Sequence, residues 1–115
     1  MQFTLFLYDD ESFHAKPEAE QMQIVGEYMT FSEALTKAGV FVGGEPLERS
    51  QAARTLRANG TVQDGPFAST KEQLGGFYII DVADADAAIE WAKQCPAYKH
   101  GGSIEVRPIP DYAGG

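Results

Sequence analysis

The chain has 115 residues and a formal net charge of -8, with nine Lys and Arg against seventeen Asp and Glu. A chain of this length forms one domain with a single hydrophobic core, and we expect that domain to span residues 1–115. Because a nucleic-acid-binding surface must be basic to meet the phosphates, the acidic balance argues against nucleic acid as a partner.

The first predicted element is a strand at Phe3–Tyr8, which is short and rich in β-forming residues. Its side chains alternate between two faces, and because both faces are apolar we expect the strand to be covered on both sides. The N-terminus lacks the basic and apolar regions of a signal peptide. No segment approaches the roughly 20 apolar residues of a membrane span, so we expect a cytoplasmic protein without membrane contact.

A long helix follows, and we expect it to begin at Pro17, because proline suits a first helical turn, where its missing N–H is not needed. Gly39 fits the position just after a helix, where a left-handed conformation is common. Apolar residues recur between these two points at helical spacing, and this stripe predicts the core face of the helix. The stripe consists of Ile24, Tyr28, Phe31, Leu35 and Ala38.

Asn59-Gly60 lies between two short alternating runs, a pattern typical of a β-hairpin with a type I′ turn. Pairing outward from this turn sets Arg57 opposite Val62 and Thr55 opposite Asp64. Arg57 and Asp64 would then be diagonal neighbours on one face, within reach of a long side chain.

Three further strands are predicted, at Val40–Val42, Phe77–Val82 and Ser103–Arg107. A second helix lies between the last two strands, with Asp84 as its N-cap. We expect Pro96 to end this helix. Cys95, the single cysteine, excludes an intrachain disulfide and is interpreted as a small buried apolar residue. Tyr112–Gly115 is predicted to be a loose tail.

Without the hairpin, the order of elements is βαββαβ, so we predict an α+β, ferredoxin-like fold with an inserted β-hairpin. Its two helices can cover only one face of the antiparallel sheet. The central strands are apolar on both faces, and the second face therefore needs a partner. A second copy related by two-fold symmetry is the simplest one, so we predict a homodimer with facing sheets.

Several stretches resemble the YCII-related proteins of the DGPF branch, over about Phe3 to Ile109. They are Asp64-Gly65-Pro66-Phe67, Thr70 to Phe77, Gly43-Gly44-Glu45, Ala87 to Ala92 and Ser103 to Pro108. The resemblance implies a dimeric α/β-barrel with an active site in the cleft between the sheet and the dimer partner. It also implies that Asp64 corresponds to the Asp of a His–Asp pair suspected of acid–base work in the YciI branch. The His of that pair would fall near Glu27 or Tyr28, where this chain has none.

Asp64 is the candidate catalytic residue, because a carboxylate at a strand end before Gly-Pro can be presented to a cleft as a general base. The alternative is a turn residue whose carboxylate binds the backbone. Six candidate binding residues accompany it, each with a plain surface or core role as its alternative. Arg54 and Arg57 suit a carboxylate clamp, Lys71 and Glu72 an anion site or acid–base pair, Tyr78 a hydroxyl donor, and Glu45 a second carboxylate.

Two functions remain open. The first is an enzyme that uses an acid–base site, or a small-ligand cleft, centred on the Asp-Gly-Pro-Phe turn at the dimer interface. The second is a non-catalytic ligand sensor or regulator, since the resemblance implies a link to an extracytoplasmic-function sigma factor. His14 and His100 lie far apart, and no nucleotide-binding loop is present, so neither a metal nor another cofactor is expected.

Overall fold

The computed structural model of the chain describes residues 1–112, so residues 113–115 of the predicted tail lie outside the described residues. Its strands and helices follow in the order β1 Gln2–Asp9, α1 Glu18–Lys37, β2 Phe41–Pro46, β3 Arg54–Leu56, β4 Val62–Asp64, β5 Gln73–Asp81, α2 Ala85–Ala92, α3 Pro96–Lys99 and β6 Ser103–Pro108. Two short 3-10 helices, Ser12–Ala15 and Ser50–Ala52, lie in the connections. Across residues 1–112, no helix combines the length and the apolarity needed to cross a membrane.

Four strands form one sheet in the order β2-β5-β1-β6, and all neighbours in it are antiparallel. Strands β3 and β4 form a separate two-stranded hairpin between β2 and β5. The predicted mixed α+β architecture is therefore confirmed. The central position of β1 and β5 explains their apolar sequences, because each has a strand on both sides and contributes to both faces of the sheet.

The hydrophobic core lies between the helices and one face of the sheet. Phe3, Leu5 and Leu7 alternate along β1 and are buried on this face. Phe31 and Leu35 of α1 pack in the same cluster, which also contains Ile80, Ala88, Ala92 and Cys95. Burial of each large apolar side chain contributes about 1.5–3 kcal/mol relative to exposure. Burial also raises the pKa of the Cys95 thiol to about 11, as expected for a structural cysteine.

The opposite face of the sheet, here called the open face, carries the alternating residues that the core does not use. Phe6 of β1 lies opposite Phe77 of β5, and both are half-buried. Ile79, the next residue of β5 on this face, is also half-buried. At the β6 edge, Arg107 forms an ion pair with Glu105 and lies 5.7 Å from the centre of the Phe6 ring. Half-buried aromatic residues thus occupy a face that the core cluster leaves uncovered.

The predicted core stripe of α1 is only half right. Phe31 and Leu35 are buried and Tyr28 packs against the same core cluster, whereas Ile24 is partly accessible and Ala38 is exposed. The helix therefore packs through its C-terminal half, and its N-terminal half stands away from the sheet. Helical spacing alone could not distinguish these two halves, because both present apolar residues at the same intervals.

The predicted hairpin is present, but its predicted register is wrong. Strand β3 pairs with β4 as Arg54 opposite Asp64, Thr55 opposite Gln63 and Leu56 opposite Val62. The loop has three residues rather than two, because the Arg57 amide donates to the Thr61 carbonyl at 2.7 Å. Gly60 alone in this loop has a positive φ, of 89°. A type I′ turn needs two such residues, so the chain forms a longer loop with glycine in the left-handed position.

The second helix also ends earlier than predicted. Asp84 caps it as expected, since its side chain accepts a hydrogen bond from the Ala87 amide at 2.9 Å. The helix ends at Ala92, however, and Pro96 begins α3 instead of terminating α2. Proline is suited to that first position because it lacks the N–H that a first helical turn leaves unbonded.

Of the two glycines in β2, Gly44 is the one that has no room for a side chain. A Cβ atom there would lie 2.6 Å from the Phe77 carbonyl oxygen, whereas a Cβ at the adjacent Gly43 meets nothing within 4 Å. We expect Gly44→Ala to reduce the free energy of unfolding by about 1–3 kcal/mol, and Gly43→Ala to change it little. Urea denaturation of both variants checks this, and equal stabilities would contradict the close packing of β2 on β5.

Candidate ligand-binding cleft

A cleft of about 620 Å³ lies beneath the middle of α1, between that helix and the ends of β1, β2 and β5. We call it the helix-side cleft. Its apolar wall comes mainly from α1 and β2, through Ile24, Val25, Met29 and Phe41. The size and apolar lining are those of small-molecule sites in proteins.

Two tyrosines place hydroxyl groups on the wall of this cleft. The Tyr78 hydroxyl lies 3.1 Å from the Ser32 hydroxyl, and its ring packs edge-on against Phe31 at 5.2 Å between centres. Burial raises the pKa of Tyr78, and burial likewise raises the pKa of Tyr28. Both phenols therefore remain protonated at neutral pH and can donate hydrogen bonds to a ligand. Tyr78 was predicted as a hydroxyl donor; Tyr28 was predicted only as core.

Acidic side chains dominate the charged part of the lining. They come from the β1 end, the loop after it, α1 and the β2 end, and comprise Asp9, Asp10, Glu11, Glu33, Glu45 and Glu48. Lys16 is the lysine among the lining residues. Glu45, a predicted binding residue, is thus part of the cleft. A lining of this kind disfavours anions by electrostatic repulsion and accepts neutral or cationic molecules.

Glu11 joins the loop after β1 to the connection before the hairpin. Its carboxylate accepts hydrogen bonds from the Ser50 amide at 2.6 Å and the Ser50 hydroxyl at 2.5 Å. Its backbone has φ 62°, a left-handed conformation that non-glycine residues seldom adopt. Such a conformation persists only when surrounding contacts enforce it. The Glu11–Ser50 clamp is one such contact, and the Glu11 amide also donates to the Asp9 carboxylate at 2.9 Å.

Both histidines of the chain line the helix-side cleft. His14 packs against Phe13, ring edge to ring face, at 5.3 Å between centres. His100, at the end of α3, has its Nε2 atom 2.6 Å from the Glu27 carboxylate oxygen on α1. The resemblance implied a histidine near Glu27 in sequence; the structure instead brings one there from the other end of the chain.

The predicted catalytic carboxylate lies elsewhere. Asp64 is at the end of the hairpin, with its side chain 94% exposed, and its ion-pair partner is Arg54 at 3.6 Å. The predicted diagonal contact with Arg57 is wrong, because the register is shifted. Arg57 instead donates to the Gln63 side chain and the Phe67 carbonyl, at 2.7 and 2.8 Å, and lies over the Phe67 ring.

A second cleft of about 610 Å³ lies between the base of the hairpin and the main sheet. Pro66 and Phe67 of the Asp-Gly-Pro-Phe turn line it, together with Glu72. Lys71 is exposed. Hydrogen bonds from Ser12 hold the pKa of the Asp10 carboxyl below its ordinary value, and the charge of Lys71 lowers this pKa by a smaller amount. The structure therefore divides the predicted site residues between two clefts and the exposed hairpin.

Metal ligands do not gather in the described part of the chain. Within residues 1–112, no group of three or more His, Cys, Asp or Glu side chains is arranged to hold a metal ion. The acidic side chains of the helix-side cleft are instead distributed around its edge.

The fold and the site define a class of protein, namely an antiparallel α+β domain with a small apolar cleft under its long helix. The sequence profile of the YCII-related domain matches residues 1–113, and the chain belongs to that family. It is 37% identical, over 120 residues, to an uncharacterised protein of Rhizobium meliloti (strain 1021), with 100% of this chain and 97% of the relative aligned.

A solved structure of the same fold is 5-chloro-2-hydroxyhydroquinone dehydrochlorinase (TftG) from Burkholderia phenoliruptrix, in complex with 2,5-dihydroxybenzoquinone. The TM-score is 0.59, and the match covers 98% of this chain and 97% of that one. The sequences are 18% identical, so the likeness establishes the fold alone.

Sequence reasoning missed four residues that shape the helix-side cleft, namely Glu11, Ser32, Tyr28 and His100. The positive φ of Glu11 and the contact of His100 with Glu27 across 73 residues have no local sequence signal. Ser32 and Tyr28 lie four residues apart on one face of α1, and that spacing was a usable signal. Tyr28 was assigned to the core stripe, against which it does pack, and no role was predicted for Ser32.

The Glu11 clamp is expected to make stability depend on acid. Hydrogen bonds from the Ser50 hydroxyl and amide hold the pKa of the Glu11 carboxyl below its ordinary value of 4.5. A group with a lowered pKa stabilises the fold above its unfolded pKa and loses this contribution as pH falls through its folded pKa. Glu11→Gln should therefore destabilise the protein by about 1 kcal/mol at neutral pH.

Urea denaturation of the two proteins as a function of pH checks this expectation. Their difference in stability should narrow as pH falls below 4.5. Glu90→Gln is the matched control, because Glu90 is an exposed carboxylate of α2 that forms an ion pair with Lys93. A constant difference between wild type and Glu11→Gln at all pH values would contradict the role of the clamp.

Proposed function

We propose that this YCII-related protein binds a small, largely apolar, hydroxylated molecule in the helix-side cleft and carries out acid–base chemistry on it there. The Tyr78–Ser32 hydroxyl pair on the wall of the apolar cleft of about 620 Å³ carries the proposal. Ligand sites of this size are typically apolar with a few polar groups that fix orientation. A hydroxyl or carbonyl group of a ligand is the natural partner for the two protonated phenols.

The acidic lining narrows the class of ligand to neutral or cationic molecules. This departs from the anion site expected around Lys71 and from the carboxylate clamp expected from Arg54 and Arg57, none of which lines this cleft. The fold neighbour acts on a hydroxylated six-membered ring, by its name, and a ring of that size suits the volume of the helix-side cleft. The lining of this chain, and not the likeness, supports the ligand class.

Three phenols of matched shape and different charge test the ligand class. We expect neutral 4-ethylphenol and cationic tyramine to bind the protein in titration calorimetry. Anionic 4-hydroxyphenylacetate should bind about tenfold more weakly, because the carboxylates around the cleft repel it. Tyr78→Phe should weaken 4-ethylphenol binding about three- to tenfold through the lost hydroxyl.

Tyr98→Phe is the matched control, since Tyr98 is an exposed tyrosine outside the cleft lining. Strongest binding by the anion would contradict the ligand class. Equal effects of Tyr78→Phe and Tyr98→Phe on 4-ethylphenol binding would contradict the location.

A homodimer through the open face is the second part of the proposal. Phe6, Phe77 and Ile79 are half-buried on a face outside the core cluster, which supports a second copy as its cover. The same assembly would give Asp64 a function. A carboxylate that is 94% exposed in one protomer becomes part of a cleft only where another surface covers it. We therefore propose that Asp64 lies at the dimer interface.

Ile79→Glu is expected to convert the dimer to a monomer, because a charge would be buried between the two sheets. Ile89→Glu is the matched control, at an isoleucine that is 44% exposed on α2. Sedimentation velocity at micromolar concentration measures both. A wild-type monomer, or dissociation by both variants alike, would contradict the interface. Unchanged ligand binding and turnover in a folded Asp64→Asn protein would contradict the role of Asp64.

A non-catalytic regulatory module is the alternative function. The hairpin favours it, because Leu56 and Phe67 are 71% and 78% exposed and could contact a protein such as a sigma factor. A sensor releases its ligand unchanged, whereas an enzyme converts it. Mass spectrometry of any ligand recovered from the protein therefore separates the two functions.

A further inference from the structure

His100 and Glu27 form a pair in which one member faces the helix-side cleft and the other does not. His100 is among the residues that line the cleft, whereas Glu27 is outside the lining. Their Nε2 and Oε1 atoms are 2.6 Å apart, a short hydrogen bond that joins α3 to α1. The imidazole is therefore part of the cleft wall, and the carboxylate that it contacts is not.

The hydrogen bond between His100 and Glu27 determines which ring nitrogen of His100 carries the proton. A carboxylate accepts a hydrogen bond and cannot donate one while ionised, so Nε2 must carry the proton that lies between them. In the neutral imidazole the proton-free nitrogen is then Nδ1, which has no hydrogen-bond partner among the described residues. An imidazole oriented by a carboxylate, with its other nitrogen available, is the arrangement of a general base.

Solvent access is consistent with proton transfer at this position. The side chains of His100 and Glu27 are 46% and 37% exposed, so a proton taken up by His100 can exchange with water. Tyr28, next to Glu27 in the chain, contributes a phenol to the same cleft. A neutral phenol there can donate a hydrogen bond to an oxygen that gains negative charge as His100 removes a proton.

The geometry points to His100 as a general base of the helix-side cleft, with Glu27 as its positioning residue; this rests on the proposed function. In the step, Nδ1 of His100 accepts a proton from a hydroxyl or an activated C–H of the bound molecule. The imidazolium is stabilised by the Glu27 carboxylate. The same proton returns to the product at another atom, so the step balances without an oxidant, a reductant or a co-reactant.

Hydrolysis of 4-nitrophenyl acetate, a neutral phenyl ester, provides a probe reaction for the imidazole. Water adds to the ester as one of its protons passes to His100, and 4-nitrophenolate leaves. The acetic acid and the imidazolium then lose their protons to the solvent, which restores the base. Because His14 also lines the cleft, rates are compared in a His14→Gln background, where His100 is the remaining histidine. We expect His100→Gln to slow the reaction at least about tenfold.

Glu27→Gln should slow the probe reaction about three- to tenfold, less than loss of the base itself. Glu90→Gln, an exposed carboxylate on α2 paired with Lys93, is the control and should leave the rate unchanged. Long-range 1H–15N spectra of the histidine ring in mildly alkaline solution distinguish a positioning role for Glu27 from a purely structural one. The wild type should carry its ring proton on Nε2, and Glu27→Ala should show a mixture of the two tautomers.

Equal ester rates with and without His100, or a wild-type rate no faster than buffer, would overturn the assignment. A ring proton on Nδ1 of His100 would overturn it as well. The outcome is independent of the phenol titrations. Binding of 4-ethylphenol with no effect of His100→Gln on the ester leaves a ligand-binding cleft without this base. A His100-dependent ester rate without phenol binding leaves the base and removes the proposed ligand class.

Discussion

The packing of the C-terminal half of α1 on the sheet is the contact on which the rest of the molecule depends. Phe31 and Leu35 are buried against β1 and β5 and fix the helix at one end. The remainder of the helix leaves a cleft between itself and the ends of β1, β2 and β5, and the loop after β1 completes the lining. Ser32 and Tyr28 contribute to this lining from the helix.

Several of the acidic side chains that give the protein its negative charge line this cleft. A net charge of -8 spread evenly over a surface would affect solubility and little else. Six carboxylates around one apolar cavity instead make its entrance selective by charge. The basic residues that could have balanced them, Arg54 and Arg57, lie on the hairpin and are occupied there by Asp64, Gln63 and Phe67.

The sequence predicted the fold well, because strand alternation, helix caps and the order of elements are local signals. Asp84 and Gly39 act as expected, and the predicted alternation along β1 is present, with Phe3, Leu5 and Leu7 buried on one face. Errors occurred where one local pattern allows two structures. Asn-Gly is compatible with a two- or a three-residue loop. The longer loop forms here, because Asn59 lacks the positive φ that a type I′ turn requires.

The candidate site was predicted less well than the fold, for a different physical reason. Tyr78 and Glu45 were identified because each lies at a recognisable point of a strand. His100 and Glu27 are 73 residues apart, and Glu11 and Ser50 are 39 apart. Contacts of this range follow from how α3 and the loop connections settle on the sheet, which no periodicity in the sequence reports.

The Glu11–Ser50 clamp connects the two clefts. Glu11 lines the helix-side cleft and Ser50 lines the second cleft at the base of the hairpin, so one hydrogen-bonded pair is a wall of both. A molecule that enters either cleft and shifts this wall changes the free energy of binding in the other, and by the same amount in both directions. This pair is the contact through which ligands of the two clefts would be linked thermodynamically.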